Sequence, residues 1–239
     1  MSKINTRYLG LELSSPIIVG SSNFTSKVES IVEAEAAGAG AVVLKSLFEE
    51  QIVSQAHSMA SHESYPEADD YLQYYTRTNS VDAYLDLVAG ARKKVKIPVI
   101  ASINCFSPKG WIDFAMEIER AGASALEVNI FFIPTDKHQS STDSEKIYFR
   151  IIDNLKQKVK IPISVKIGQK FSNILNFVWQ MYNHGVAGVT MFNRFYEPDF
   201  DINSLNIVPA SVLSNPVEQR YVLRWVGMVS AQDTKIDIS

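Results

Sequence analysis

The chain has 239 residues, enough for one large domain with a sizeable core. Hydrophobic residues make up 46% and charged residues 21%, and 23 basic against 26 acidic side chains leave a formal charge of −3 with no long run of either sign. This composition excludes a disordered chain and argues against a nucleic-acid partner, because no basic footprint for phosphates is present.

A single cysteine, Cys105, excludes an internal disulfide and a cysteine-rich metal site, and fits a reducing cytoplasm. The first 20 residues scatter polar side chains instead of following a basic segment with an apolar one, so no signal peptide is expected. No apolar run approaches the roughly 20 residues that span a bilayer.

The first expected strand covers 16–20 and leads to Ser21. Helical spacing follows over 26–38, and AGAGAVVLK gives a strand over 40–45 that ends on Lys45. A long insertion over 47–80 holds His57, His62, Tyr71, Tyr74, Tyr75 and Asn79. The histidines lack further clustered ligands, so no metal site is expected, and the tyrosines read as packing residues. Ser80 is the expected N-cap of a helix over 80–95, and KVKIPVIASI then gives a strand near 97–103 followed by Asn104. Ser107 and Pro108 open a helix over 108–121, and AGASALEVN gives a strand over 124–129 ending on Asn129. Asp143 is the expected N-cap of a helix over 143–160, ahead of a strand over 162–167 that carries Lys166. A helix over 171–184 precedes a strand over 186–192 and Asn193. Asn215-Pro216 opens a last helix running to about Ala231, and TKIDIS reads as the first residues of a seventh strand.

An internal repeat orders these elements. KVKIPVIASI and KVKIPISVKI lie 64 residues apart (94 to 158), and the helix-ending glycines Gly122 and Gly185 lie 63 apart. Two βα units of about 32 residues explain both offsets. Strands that alternate with helices and read as continuous apolar runs indicate a parallel sheet covered by helices. An open doubly wound sheet competes with a (β/α)8 barrel. The barrel is preferred, because polar residues recur at nearly every strand tip and not at one switch point. The expectation is a single barrel domain over 1–239 with about six βα units and the start of a seventh strand, hence an incomplete barrel whose gap is either a truncation or covered by something else.

Ser21, Lys45, Asn104, Asn129, Lys166 and Asn193 all fall at strand tips, which converge on one face of such a barrel. Either lysine alone could carry its ammonium to the rim on an apolar stem, but two at one mouth suit a developing anion, a phosphate or a reduced flavin. Asparagine is depleted in strands, and its amide offers both a donor and an acceptor to the edge of a planar ligand.

With these residues in view, the chain resembles the class 1 dihydroorotate dehydrogenases, FMN-containing (β/α)8 barrels. The resemblance runs through GLELSSPIIVGSS, LKS at 44–46, LEVN at 126–129, SVKI at 164–167 and MFN at 191–193. It implies that Ser21, Lys45, Ser46, Asn104, Asn129 and Lys166 line the ring of FMN, and that Asn129 and Asn193 hold an orotate-like small molecule. A hydride would then pass from a dihydropyrimidine to the flavin, in pyrimidine biosynthesis. A homodimer is implied as well.

The chain departs from that family in the loop after the fourth strand. A cysteine or serine base is expected there, whereas NIFFIPTD puts Phe132, or Ile133, in its place, and neither takes a proton. Cys105 follows the third strand and reads as a small buried apolar residue. His138, Ser140, Ser141 and Thr142 lie farther along the same loop as other candidates. The phosphate-binding loops expected after strands seven and eight find no counterpart in the sequence. Two further readings stand beside the oxidoreductase: a barrel aldolase with a Schiff base on Lys166, and a noncatalytic or truncated relative.

Overall fold

The computed structural model describes residues 4–52, 66–105, 108–193, 198–210, 213–232 and 235–239, without the side chains of 66–79 and 108–109. His57, His62 and Ser107 lie outside the described residues, as do the side chains of Tyr71, Tyr74, Tyr75 and Asn79.

The principal sheet is wholly parallel. Its strands are β3 (Ile18–Val19), β4 (Ala41–Val43), β5 (Leu47–Phe48), β6 (Val99–Asn104), β7 (Ala125–Asn129), β8 (Ile163–Ile167), β9 (Gly188–Met191) and β12 (Asp237–Ile238). They pair in the order β3-β4-β6-β7-β8-β9-β12, with β5 continuing the β4 side of β6. The order never reverses, so the described strands contain no switch point, and a curled, incomplete (β/α)8 barrel replaces the doubly wound alternative. Six expected strands and the start of the seventh are present.

Helices α1 (Val28–Ala36), α2 (Pro66–Lys94), α3 (Pro108–Arg120), α4 (Ser141–Lys156), α5 (Ile174–Asn183) and α6 (Gln219–Ser230) cover the sheet's outer face. Ile31, Val88, Phe114, Ile118, Ile152 and Phe177 are fully buried against outward-facing strand residues such as Val42, Val99, Leu126 and Val165. Two cap expectations are corrected. Ser80 lies inside α2, which starts at Pro66, so it caps nothing. Ser140, not Asp143, is the N-cap of α4: its Oγ accepts the Asp143 N–H at 3.1 Å, which makes Asp143 the third helical residue.

Two devices recur with the repeat. Gly38, Gly122 and Gly185 have φ of 96°, 93° and 81°, and the N–H of the following residue reaches back five positions, from Ala39 to Ala34, Ala123 to Ile118 and Val186 to Met181. This double turn satisfies the last helical carbonyls and aims the chain into the next strand. Ahead of each Ile-Pro, a carboxylate from the helix before the one that leads into the turn holds it in place. Glu35 Oε1 accepts the N–H groups of Lys96 and Ile97 at 2.7 and 3.1 Å, and Glu119 Oε1 does the same for Lys160 and Ile161 at 2.7 and 3.0 Å.

The barrel floor is closed by an antiparallel hairpin of β1 (Thr6–Tyr8) and β2 (Leu11–Leu13). Tyr8, Leu9 and Leu13 bury against Ala41, Val43, Ile100 and Ala125, the inward residues nearest the strand starts. Leu9 N–H donates to Asp237 Oδ2 at 2.6 Å, which ties this plug to β12. A second hairpin, β10 (Pro198–Phe200) with β11 (Ile207–Pro209), follows β9 and exposes Phe200, Ile202, Leu205 and Ile207.

Between β4 and β5 the ladder to β6 is interrupted, and the Tyr84 hydroxyl from α2 fills the break. It accepts the Ser102 N–H at 2.8 Å and donates to the Ser102 carbonyl at 3.0 Å, fully buried. Replacing Tyr84 by Phe leaves a buried donor and a buried acceptor unpaired, so a loss of about 2 kcal/mol is expected in urea denaturation.

Candidate functional site

Strand alternation sorts the inward residues into tiers. On β6 they run Ile100, Ser102, Asn104; on β7 Ala125, Glu127, Asn129; on β8 Ser164, Lys166; and on β9 Gly188, Thr190. The lowest tier is apolar, the middle tier is polar and buried, and the top tier carries the amides and ammonium groups named from the sequence.

At the mouth, Asn129 and Lys166 are register partners on adjacent strands. Asn193, two residues past β9, donates its amide Nδ2–H to Asn129 Oδ1 at 2.8 Å, while its N–H donates to the Ile167 carbonyl at 2.7 Å. Asn129 is buried, whereas Asn193, Lys166 and Asn104 are half-buried. Across the opening, Ser46 N–H donates to Ser21 Oγ at 2.9 Å, and Lys45 N–H donates to the carbonyl of the buried Thr25. These bonds tie the loops after β3 and β4 together. Lys45 is exposed and falls, by alternation, on the same face as Ala41 and Val43. The strand-tip residues thus occupy one rim, with Asn129, Lys166 and Asn193 in direct succession.

Phe132 is exposed on the loop after β7, and its backbone N–H donates to the hydroxyl oxygen of Tyr148, whose ionisation burial pushes up to about 12. Ile133 and His138 are exposed as well, and the His138 N–H donates to Asp136 Oδ1 at 2.9 Å. Ser140, Ser141 and Thr142 form the cap and first turn of α4, facing solvent. Cys105 is buried, as expected of a small apolar residue.

The sequence reading did not assign a role to Glu127, which sits beneath the mouth at 4% exposure. Its signal was available: a carboxylate inside the otherwise apolar run ALEVN cannot face a helix-packed surface cheaply. Ser102 Oγ donates to Oε1 at 3.3 Å and Thr190 Oγ1 donates to Oε2 at 3.0 Å. Each hydroxyl has one hydrogen, so these two bonds fix the sense of those behind them. Ser21 donates to Ser46 (3.1 Å) and Ser46 to Ser102 (2.8 Å) on one side. On the other, Tyr8 donates to Ser239 (2.9 Å) and Ser239 to Thr190 (3.0 Å). Two hydroxyl arms therefore point their protons at one carboxylate. Burial pushes the Glu127 carboxyl up from its usual range, and the Lys166 charge and the Thr190 and Ser102 donors hold it back.

A carboxyl raised in the folded state contributes stability that is fully present below its unfolded pKa and is lost as pH rises through the folded value. Glu127→Gln removes that loss. Between about pH 4 and pH 8 the melting temperature of the Gln variant, minus that of the parent, is expected to increase with pH, as read by thermal denaturation.

No family model matches the chain. It is 23% identical over 182 residues to the dihydroorotate dehydrogenase B (NAD(+)), catalytic subunit, of Thermoplasma volcanium, an alignment covering 73% of this chain and 57% of that protein. It is 28% identical over 141 residues to dihydroorotate dehydrogenase A (fumarate) of Limosilactobacillus reuteri, covering 56% and 46%. The chain spans about half the length of these curated relatives. Among solved structures, an IMP dehydrogenase/GMP reductase-like protein from Corynebacterium glutamicum superposes with a TM-score of 0.48 at 13% identity, over 81% of this chain and 49% of that one. At this distance the chain is similar to dihydroorotate dehydrogenases. Among the described residues, no helix is long and apolar enough to cross a membrane, and no group of three or more His, Cys, Asp or Glu side chains is arranged to hold a metal.

Proposed function

We propose that the chain is the barrel of a dihydroorotate dehydrogenase-like oxidoreductase that holds FMN at its mouth and an orotate-like ring against it. The observation that carries this reading is the succession Lys166, Asn129, Asn193, with Asn129 register-paired to Lys166 and bonded to Asn193 at 2.8 Å. It joins one cation to two amides on a single rim. Such a row matches a flat heterocycle with alternating carbonyl and imide groups.

The residues fit a flavin ring in their chemistry. Lys166 and Lys45 supply positive charge where a reduced ring carries negative charge, and Ser21, Ser46, Asn104 and Asn129 supply donors and acceptors to its polar edge. Bound flavin would accept the hydride. The chain's own part would be to hold the dihydropyrimidine through Asn129 and Asn193 and to exclude water from the floor by the Tyr8–Leu13 plug. Phe132 at the expected base position has no proton-accepting group, so the proposal covers ring recognition and hydride transfer. Pyrimidine biosynthesis, a cytoplasmic location and a homodimer belong to the same proposal, the last tested by analytical ultracentrifugation.

The purified chain is expected to bind added FMN with the flavin's visible absorbance. Lys166→Ala should weaken that binding by about tenfold to a hundredfold, the loss of one charge-assisted contact. Asn193→Ala should raise the dihydroorotate KM about tenfold, with a smaller effect on FMN affinity. A colourless chain that ignores FMN overturns the reading. Borohydride trapping of a keto-acid on Lys166 would replace it with an aldolase.

A further inference from the structure

We propose that Glu127 regulates the charge at the barrel mouth: it gains a proton when an anionic planar ring compensates the Lys166 ammonium, and gives it up when that ammonium stands without an anion. The inference deepens the flavin reading and rests on it for the identity of the anion, a reduced flavin.

The geometry makes Glu127 the terminus of two hydroxyl arms whose bonds all run toward it. This arrangement suits an ionised carboxylate, which only accepts. A protonated Glu127 has to donate to one of its neighbours, and the arm through Ser102 accommodates that by turning Ser102, Ser46 and Ser21 in sequence, since each of these oxygens both donates and accepts. The arm through Ser102 and Ser46 ends at Ser21, half-buried at the mouth, so a proton can enter there from solvent. Among the described residues, few titratable groups act on the carboxyl from the surrounding elements. Lys166 on β8 is the cation, Tyr8 from the floor hairpin and Tyr84 from α2 are phenols that burial keeps protonated, and Asp237 on β12 spends Oδ2 on the Leu9 N–H. Lys166, two residues past Ser164, the register partner of Glu127, is thus the cation that acts on the carboxyl from the tier above.

The coupling follows from Coulomb's law. With Lys166 uncompensated, its charge favours the Glu127 carboxylate; an anion seated on Lys166 cancels that attraction, and the desolvated acid takes up a proton. For a flavin reduced by dithionite the balance closes. With FMN bound, two electrons from the reductant and one proton would leave one negative charge for Lys166 to compensate, and a further proton would go to Glu127.

Two measurements on the full chain test this. Without flavin, the protonated-carboxyl stretch in the infrared is titrated with pH, the Glu127 component being the part lost in Glu127→Gln. Its midpoint is expected to rise by about one pH unit or more in Lys166→Met, and to return to the parent value in Lys166→Arg. A midpoint that ignores Lys166→Met, or the absence of any Glu127 component while the chain stays folded, overturns the proposal. With FMN added, dithionite reduction in weakly buffered solution with a pH indicator should consume up to about one proton more in the parent than in Glu127→Gln. Equal consumption overturns it as well. Failure of FMN to bind counts against the proposed function, and the infrared titration then decides whether Glu127 and Lys166 are coupled.

Discussion

A carboxylate placed inside a parallel sheet has to be solvated by the protein, and the interior of this barrel is organised around that requirement. Glu127 is flanked by strands on both sides and reaches water only through other side chains. Serines and threonine at inward positions of β6, β8 and β9, the loop serines Ser21 and Ser46, and the phenol of Tyr8 supply the missing donors or line the same tier. An apolar middle tier would pack as well, but would separate the rim from the floor. The polar tier instead connects them, so that the N-terminal hairpin, the strand-tip loops and β12 share one set of hydrogen bonds.

The outer layer is held by repetition. Three helices end with a left-handed glycine, and in the first two copies a glutamate of that helix also takes the N–H groups of the turn before a later strand. The same carboxylate geometry at Glu35 and Glu119 links successive units without long loops, which keeps the strand order monotonic and the strand tips on one rim. Convergence of distant residues at that rim is therefore a product of local turn chemistry.

Much of this was legible in the sequence, for identifiable reasons. Continuous apolar runs and glycine and proline punctuation are one-dimensional signals, and they located the six strands and the start of a seventh, together with the residues at their tips. Helix starts were less legible. Ser140 and Asp143 both suit a cap, and only the backbone decides between them, while α2 begins well before the residue with the clearest capping chemistry. The β10–β11 hairpin was not anticipated from the sequence. Glu127 stood in the open in ALEVN, yet its meaning lies in Ser102, Thr190 and Lys166, which belong to three other strands. Asn129 and Asn193 were grouped by their residue type, but their direct bond depends on where the chain turns after β9.

The phenol of Tyr84 stands in for a missing rung of the sheet. Because a helix side chain, and not a neighbouring strand, closes that gap, the pairing of β6 at Ser102 depends on how α2 is seated against the sheet.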